Sequence, residues 1–155
     1  AQEVSGYFET YGLDWLFDPE ANKFEIQKKV NKIIYRYPFS LVADTLQRMI
    51  FYLTAIESND NCTLVLEEPE TNAFPIFIKD LANRISNSNN QFFISTHNPY
   101  LLHNLIENNG PGDVGVFVAG YDDYQTTIRK LKKDEIQEVY RNSIDLFFNI
   151  QKYTK

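Results

Sequence analysis

Residues 63–75 read TLVLEEPETNAFP: an aliphatic run that ends in Glu67, Glu68 and Glu70, set around Pro69. A short, continuous apolar run of this kind suits a strand buried on both faces of a parallel sheet, since a half-exposed strand would alternate apolar and polar residues. Cys62, at its start, reads as a small buried apolar residue. Helical spacing follows, with Phe74, Phe77, Ile78, Leu81 and Ile85 in phase until SNSNN at 86–90 breaks the pattern. The strand signal returns in QFFIS, residues 91–95. THNPYLLHNLIE, residues 96–107, then opens a second helix with Asn98 as its cap and Pro99 in its first turn.

Outward from this centre, VGVFVAG at 114–120 reads as a third strand of the same parallel sheet, followed by a turn at YDDY and a more polar strand, QTTIRKL. Ile136, Val139, Tyr140, Ile144, Phe147 and Ile150 then keep helical phase, predicting one long C-terminal helix. Toward the N-terminus, Leu13 to Phe17 and the stretch 23–38 predict a β-meander that turns near Val30 to Lys32. Val42, Leu46, Met49, Ile50 and Leu53 fall on one helical face, with Ser40 placed as an N-cap. The pattern as a whole predicts an α/β fold with a mostly parallel central sheet, flanking helices and an N-terminal β-meander. Residues 1–155 read as one domain, with a β-rich lead-in over 1–38 and an α/β lobe over 39–155.

Composition narrows the function classes. A net charge of −6, from 15 Lys and Arg against 21 Asp and Glu, gives no global attraction to nucleic acid or anionic lipid. Two basic clusters, Lys28, Lys29, Lys32 and Arg36, and Arg129, Lys130, Lys132 and Lys133, read first as solvated strand faces and second as contacts to a DNA backbone. Cys62 alone allows no intrachain disulfide, and no apolar stretch approaches the ~20 residues of a membrane span; a cytoplasmic setting is expected, without membrane partners. With 2 His and a single Cys, a structural zinc site is disfavoured.

Ligands of open α/β sheets bind at the carboxyl ends of strands. Glu67 and Glu68 end one predicted strand, while Ser95, Thr96 and His97 end the next, so parallel neighbours would bring carboxylates and imidazole to one edge. Carboxylates suit Mg²⁺, a second carboxylate can orient an attacking water, and a histidine can sense a terminal phosphate. The plain alternatives are a solvated acidic loop, a Glu70 that only favours the positive end of a helix, and a loop histidine beside a cap.

These residues carry a family resemblance. TLVLEEPE resembles the Walker B segment of ABC-type ATPases, FFISTHNPYLL resembles their switch-histidine segment, and YPFSLVADTLQR stands where they carry a signature motif. The chain from Phe24 to Val118 is most similar to bacterial ABC-like AAA ATPases grouped with the overcoming-lysogenization-defect (OLD) and SMC/RecF relatives. The resemblance implies a P-loop NTPase-like C-terminal lobe that binds ATP and Mg²⁺ and works as a head-to-tail homodimer. It implies that Glu67 holds Mg²⁺, Glu68 orients the hydrolytic water and His97 contacts the γ-phosphate. Ser40, Ala43 and Asp44 of the signature-like region, with Thr71 and Asn72 of the D-loop, would meet nucleotide across the dimer.

The sequence departs from the family pattern in having Glu67 where Asp is usual, and Ala43 and Thr45 where glycine is usual. No Gly-x-x-x-x-Gly-Lys-Ser/Thr loop occurs; Gly110 and Gly115 have the glycine spacing, but Val116 and Phe117 follow. With Ala1 in place of Met, this predicts the C-terminal half of an ATPase domain, completed by an upstream Walker A lobe and inactive alone. The activity would be coupled to DNA repair, DNA processing or phage defence, with DNA as a partner of the full protein. Two alternatives stand beside it: a dimerisation or docking module without chemistry, and a metal-dependent phosphohydrolase without a P-loop.

Overall fold

A computed structural model describes residue 9 and residues 12–154, so most of the residues before 12, and residue 155, lie outside the described part of the expected lead-in and lobe. The chain forms two compact units that divide between Ser58 and Asn59. The helix that follows the meander shares one buried cluster with it, through its Ile50 and the meander's Ile26.

In the first unit, β1 (Asp14–Asp18), β2 (Lys23–Val30) and β3 (Ile33–Pro38) form an antiparallel meander in sequence order. Asn31, with φ 56°, takes the left-handed turn that lets Val30 face Ile33 across a two-residue loop. Trp15 stacks against Phe24 at 4.5 Å and meets Phe39 edge-on at 5.4 Å, closing one side of the cluster. Helix α1 (Asp44–Glu57) starts later than the predicted cap. Ser40 lies in a one-turn 3₁₀ segment, Phe39–Leu41, and Ala43 caps the helix without a side-chain bond. The reason is Val42, whose side chain packs onto Ile26 and Ile50 while its carbonyl accepts from Gln47 Nε2 at 2.7 Å, holding the chain extended there.

In the second unit, β4 (Thr63–Glu67) and β5 (Gln91–Ser95) pair in parallel, connected through α2 (Pro75–Asn87) and followed by α3 (Pro99–Asn109). Phe77, Ile78, Leu81, Ala82 and Ile85 are the buried face of α2. α2 and α3 are further tied by Asn108 Nδ2 donating to Asn83 Oδ1 and Asn109 Nδ2 donating to Ser86 Oγ. The two strands are not buried on both faces as expected: Leu66 is covered, while Val65 and Phe93 stand 77% and 56% exposed. Cys62 is exposed as well, its Sγ directed at the Asp60 carbonyl.

The third apolar run does not join the parallel pair. β6 (Phe117–Asp122) pairs antiparallel with β7 (Gln125–Lys130), because Asp123 and Tyr124 both adopt positive φ and close a tight local hairpin. The long C-terminal helix is also interrupted. α4 (Lys133–Arg141) stops at Ser143, with φ 48°, and Asp145 Oδ1 takes the amides of Phe147 and Phe148 before the short α5 (Ile150–Tyr153). Of the predicted apolar face, Ile136 and Val139 bury in one core with Leu102, Ile106, Val116, Val118, Leu131, Leu146 and Tyr153, and Tyr140, Ile144 and Ile150 pack half-buried against it, whereas Phe147 is not part of that cluster. No described helix is long and apolar enough to cross a membrane.

Asn90 fixes where the parallel strands begin. Its Oδ1 accepts from Cys62 N at 2.9 Å, and its Nδ2 donates to Asn59 O and Ser88 Oγ at 2.8 and 2.9 Å. Replacing it removes these three bonds, so Asn90→Ala will lower unfolding free energy by about 1–3 kcal/mol, read from the urea midpoint. Glu135 gives a pH signature. The Arg129 guanidinium bonded to it, and then the Lys132 amide, hold its carboxyl below the ordinary 4.5. A lowered carboxylate pKa stabilises above the unfolded value and loses that stabilisation as pH falls through the folded one. Glu135→Gln will therefore cost about 1 kcal/mol at neutral pH, and the difference from the unsubstituted chain will shrink as pH drops below 4.5.

Candidate functional site

Parallel pairing in the register Glu67↔Ser95 places both strand ends side by side. Glu68 N donates to Ser95 O at 2.9 Å, extending the ladder one residue before the chain turns. The turn is sharp: Glu68 itself has φ 41° and Asn72 φ 60°, and successive bonds from Thr71 N to Glu68 O and Ala73 N to Glu70 O curl the loop over Pro69. A glutamate held at positive φ is uncommon and is a feature of sites whose side chains must be aimed.

The aim is visible in the side chains. Glu68 Oε1 lies 2.9 Å from His97 Nδ1, across 29 residues of sequence, with the side chains 46% and 67% exposed. Thr71 Oγ1 donates to Glu68 Oε2 at 3.3 Å. Beside this wet pair lies a more buried one. Glu70 is 3% exposed and its Oε1 accepts from Thr96 Oγ1, whose oxygen in turn accepts from Asn98 N at 3.0 Å. Asn98 Oδ1 takes the amides of Tyr100 and Leu101, the N-cap predicted from sequence, which fixes the start of α3 directly after His97.

Of the residues singled out in the sequence, Glu67, Glu68, Glu70, Thr71, Asn72 and His97 all fall on these two adjoining loops. Ser40, Ala43 and Asp44 lie in the first unit, exposed around the start of α1. His103 rests on Tyr140, ring centres 4.7 Å apart. Sequence reasoning missed Thr96 as the partner of Glu70; its signal was local, a threonine two residues before an asparagine cap, where the hydroxyl can take the i+2 amide.

The donor set suits Mg²⁺ on the protein side. Glu67 is an exposed carboxylate at the end of β4, and Mg²⁺ takes one or two carboxylates, completing its shell with water and phosphate oxygens. Among the described residues, no group of three or more His, Cys, Asp or Glu that could hold a metal ion occurs.

No family profile and no curated protein matches the sequence. Solved structures do resemble it. One, from work on ATP-driven dimerisation and DNA-stimulated activation of SMC ATPases, matches with TM-score 0.55 and 14% identity over 92% of this chain and 91% of that one. The fold is similar to that of an SMC ATPase. A second, the Smc head domain with a coiled coil and joint from Pyrococcus yayanosii, matches with TM-score 0.57 and 14% identity; it covers 92% of this chain, which spans 28% of that longer one. Among the described residues, this head-like fold carries a parallel sheet of two strands.

The cap beside His97 is testable without any ligand. Asn98→Ala removes the acceptor for two helix-start amides and will cost about 1 kcal/mol. Amide exchange at Tyr100 and Leu101 will quicken, while amides in the middle of α2 keep their protection.

Proposed function

We propose that these residues form the Walker B and switch-histidine part of an ABC-type ATPase, of the kind grouped with OLD and SMC/RecF proteins, that binds and hydrolyses ATP with Mg²⁺. The observation that supports it is the 2.9 Å contact of Glu68 with His97 at the ends of successive parallel strands. An acid and an imidazole brought together there have the placement that phosphoryl transfer needs. The P-loop that cradles phosphates comes from a Walker A lobe outside these 155 residues, encoded upstream, and this chain alone is inactive.

Each residue has a role its geometry permits. Glu67 would hold Mg²⁺, which supplies charge neutralisation on the phosphate oxygens. Glu68, partly exposed beside His97 and Thr71, is a carboxylate that could accept a proton from a water and orient it. His97, with Nδ1 turned to Glu68, presents Nε2 on the opposite side of its ring for an anion. The start of α1, with Ser40, Ala43 and Asp44, and the loop residues Thr71 and Asn72 would face nucleotide held by a second copy in a head-to-tail dimer. The neighbouring SMC ATPases are described as dimerising with ATP and responding to DNA. By analogy the complete protein couples turnover to DNA repair, DNA processing or defence against phage, in the cytoplasm.

A second reading, a dimerisation module without hydrolysis, is favoured by the engagement of both Glu68 oxygens within the chain. Glu68→Gln in the complete protein separates the two. Under the ATPase reading, turnover falls by about 10²-fold or more while ATP binding is retained. Turnover that is unchanged by the substitution, or absent before it, overturns the catalytic role and leaves the dimerisation module.

A further inference from the structure

We propose that Glu70 and Thr96 are positioning residues, a buried latch that sets the Glu68–His97 contact. The inference rests on the ATPase reading only for its kinetic consequence. The two loops after β4 and β5 are joined by two side-chain bonds of opposite character. The outer one, Glu68 to His97, is between side chains 46% and 67% exposed, and a contact so wet is too weak to hold two loops in register. The inner one, Thr96 Oγ1 to Glu70 Oε1, involves a carboxylate that is 3% exposed, and Thr96 is also tied to the start of α3 through Asn98 N.

The position of Glu70 is costly for a residue that only fills space. Its Oε2 is buried with no hydrogen-bond partner among the described residues, so the acid is desolvated to gain one bond. What that bond achieves is geometric. Glu70 lies two residues after Glu68, and Thr96 lies one residue before His97. Fixing the inner pair therefore fixes the separation of the outer pair, as the second pin of a hinge stops rotation about the first.

The test uses the imidazole of His97 as its readout in full-length protein carrying ¹⁵N-labelled histidine, with His97→Gln to assign the signal. Removing both latch partners together, Thr96→Val with Glu70→Leu, takes the buried carboxylate out along with its donor, at the cost of the bond from Asn98 N to Thr96 Oγ1. It will displace the His97 ring signals toward those of Glu68→Gln, whereas Thr96→Ser, which keeps the hydroxyl, will leave them in place. In ATP turnover the double variant will lose roughly ten- to hundredfold in kcat with little change in KM, and Thr96→Ser will restore it. A folded double variant with His97 signals and kcat unchanged overturns the latch, even where Glu68→Gln abolishes turnover. Protein without ATP turnover overturns the functional reading instead, and displaced His97 signals would still support the latch.

Discussion

The parallel pairing of β4 with β5, in register from Thr63↔Gln91 to Glu67↔Ser95, is the constraint on which the site depends. A slip of one residue would turn Leu66 to solvent and send the two loops apart. Register is set at both ends of the pair. Asn90 ties the incoming chains together at one end, and the bond from Glu68 N to Ser95 O carries the ladder past the last strand residue at the other. Between these, α2 links the two strands with its apolar stripe buried, the ordinary solution for connecting parallel strands.

The loops at the far end divide their polar groups by depth. Polar groups that can meet an incoming anion or water remain near the surface, in Glu67, Glu68 and His97. Charge that is withdrawn from water, in Glu70, is matched to a neutral hydroxyl. Such a division lets the outer groups stay adaptable while the backbone beneath them is held, which is the arrangement that preorganised sites require.

The central strand-helix-strand-helix order was legible because each element is short, strongly patterned and locally punctuated: SNSNN breaks one helix, and Asn98-Pro99 starts the next. The loop glutamates and His97 were legible for the same reason, since strand ends are readable and parallel order makes them neighbours. What failed was whatever depended on competition between local and distant pairing. The run at 114–120 reads like a core strand, yet Asp123 and Tyr124 accept left-handed backbone and fold Phe117–Asp122 onto its own neighbour. The apolar phase from Ile136 to Ile150 is continuous, but Ser143 and Asp145 supply a turn that periodicity does not register. Ser40 has the right chemistry for a cap and was displaced by the burial of Val42, a tertiary effect.

The bare side of the β4–β5 pair, with Val65 and Phe93 turned to water, bears on how this polypeptide behaves in a tube or a cell. Strands rich in aliphatic and aromatic residues, presented without cover, are the surfaces through which chains stick to copies of themselves. Until that face is sheltered, the polypeptide should be prone to clumping, and its yield in solution should depend on how fast shelter arrives after synthesis.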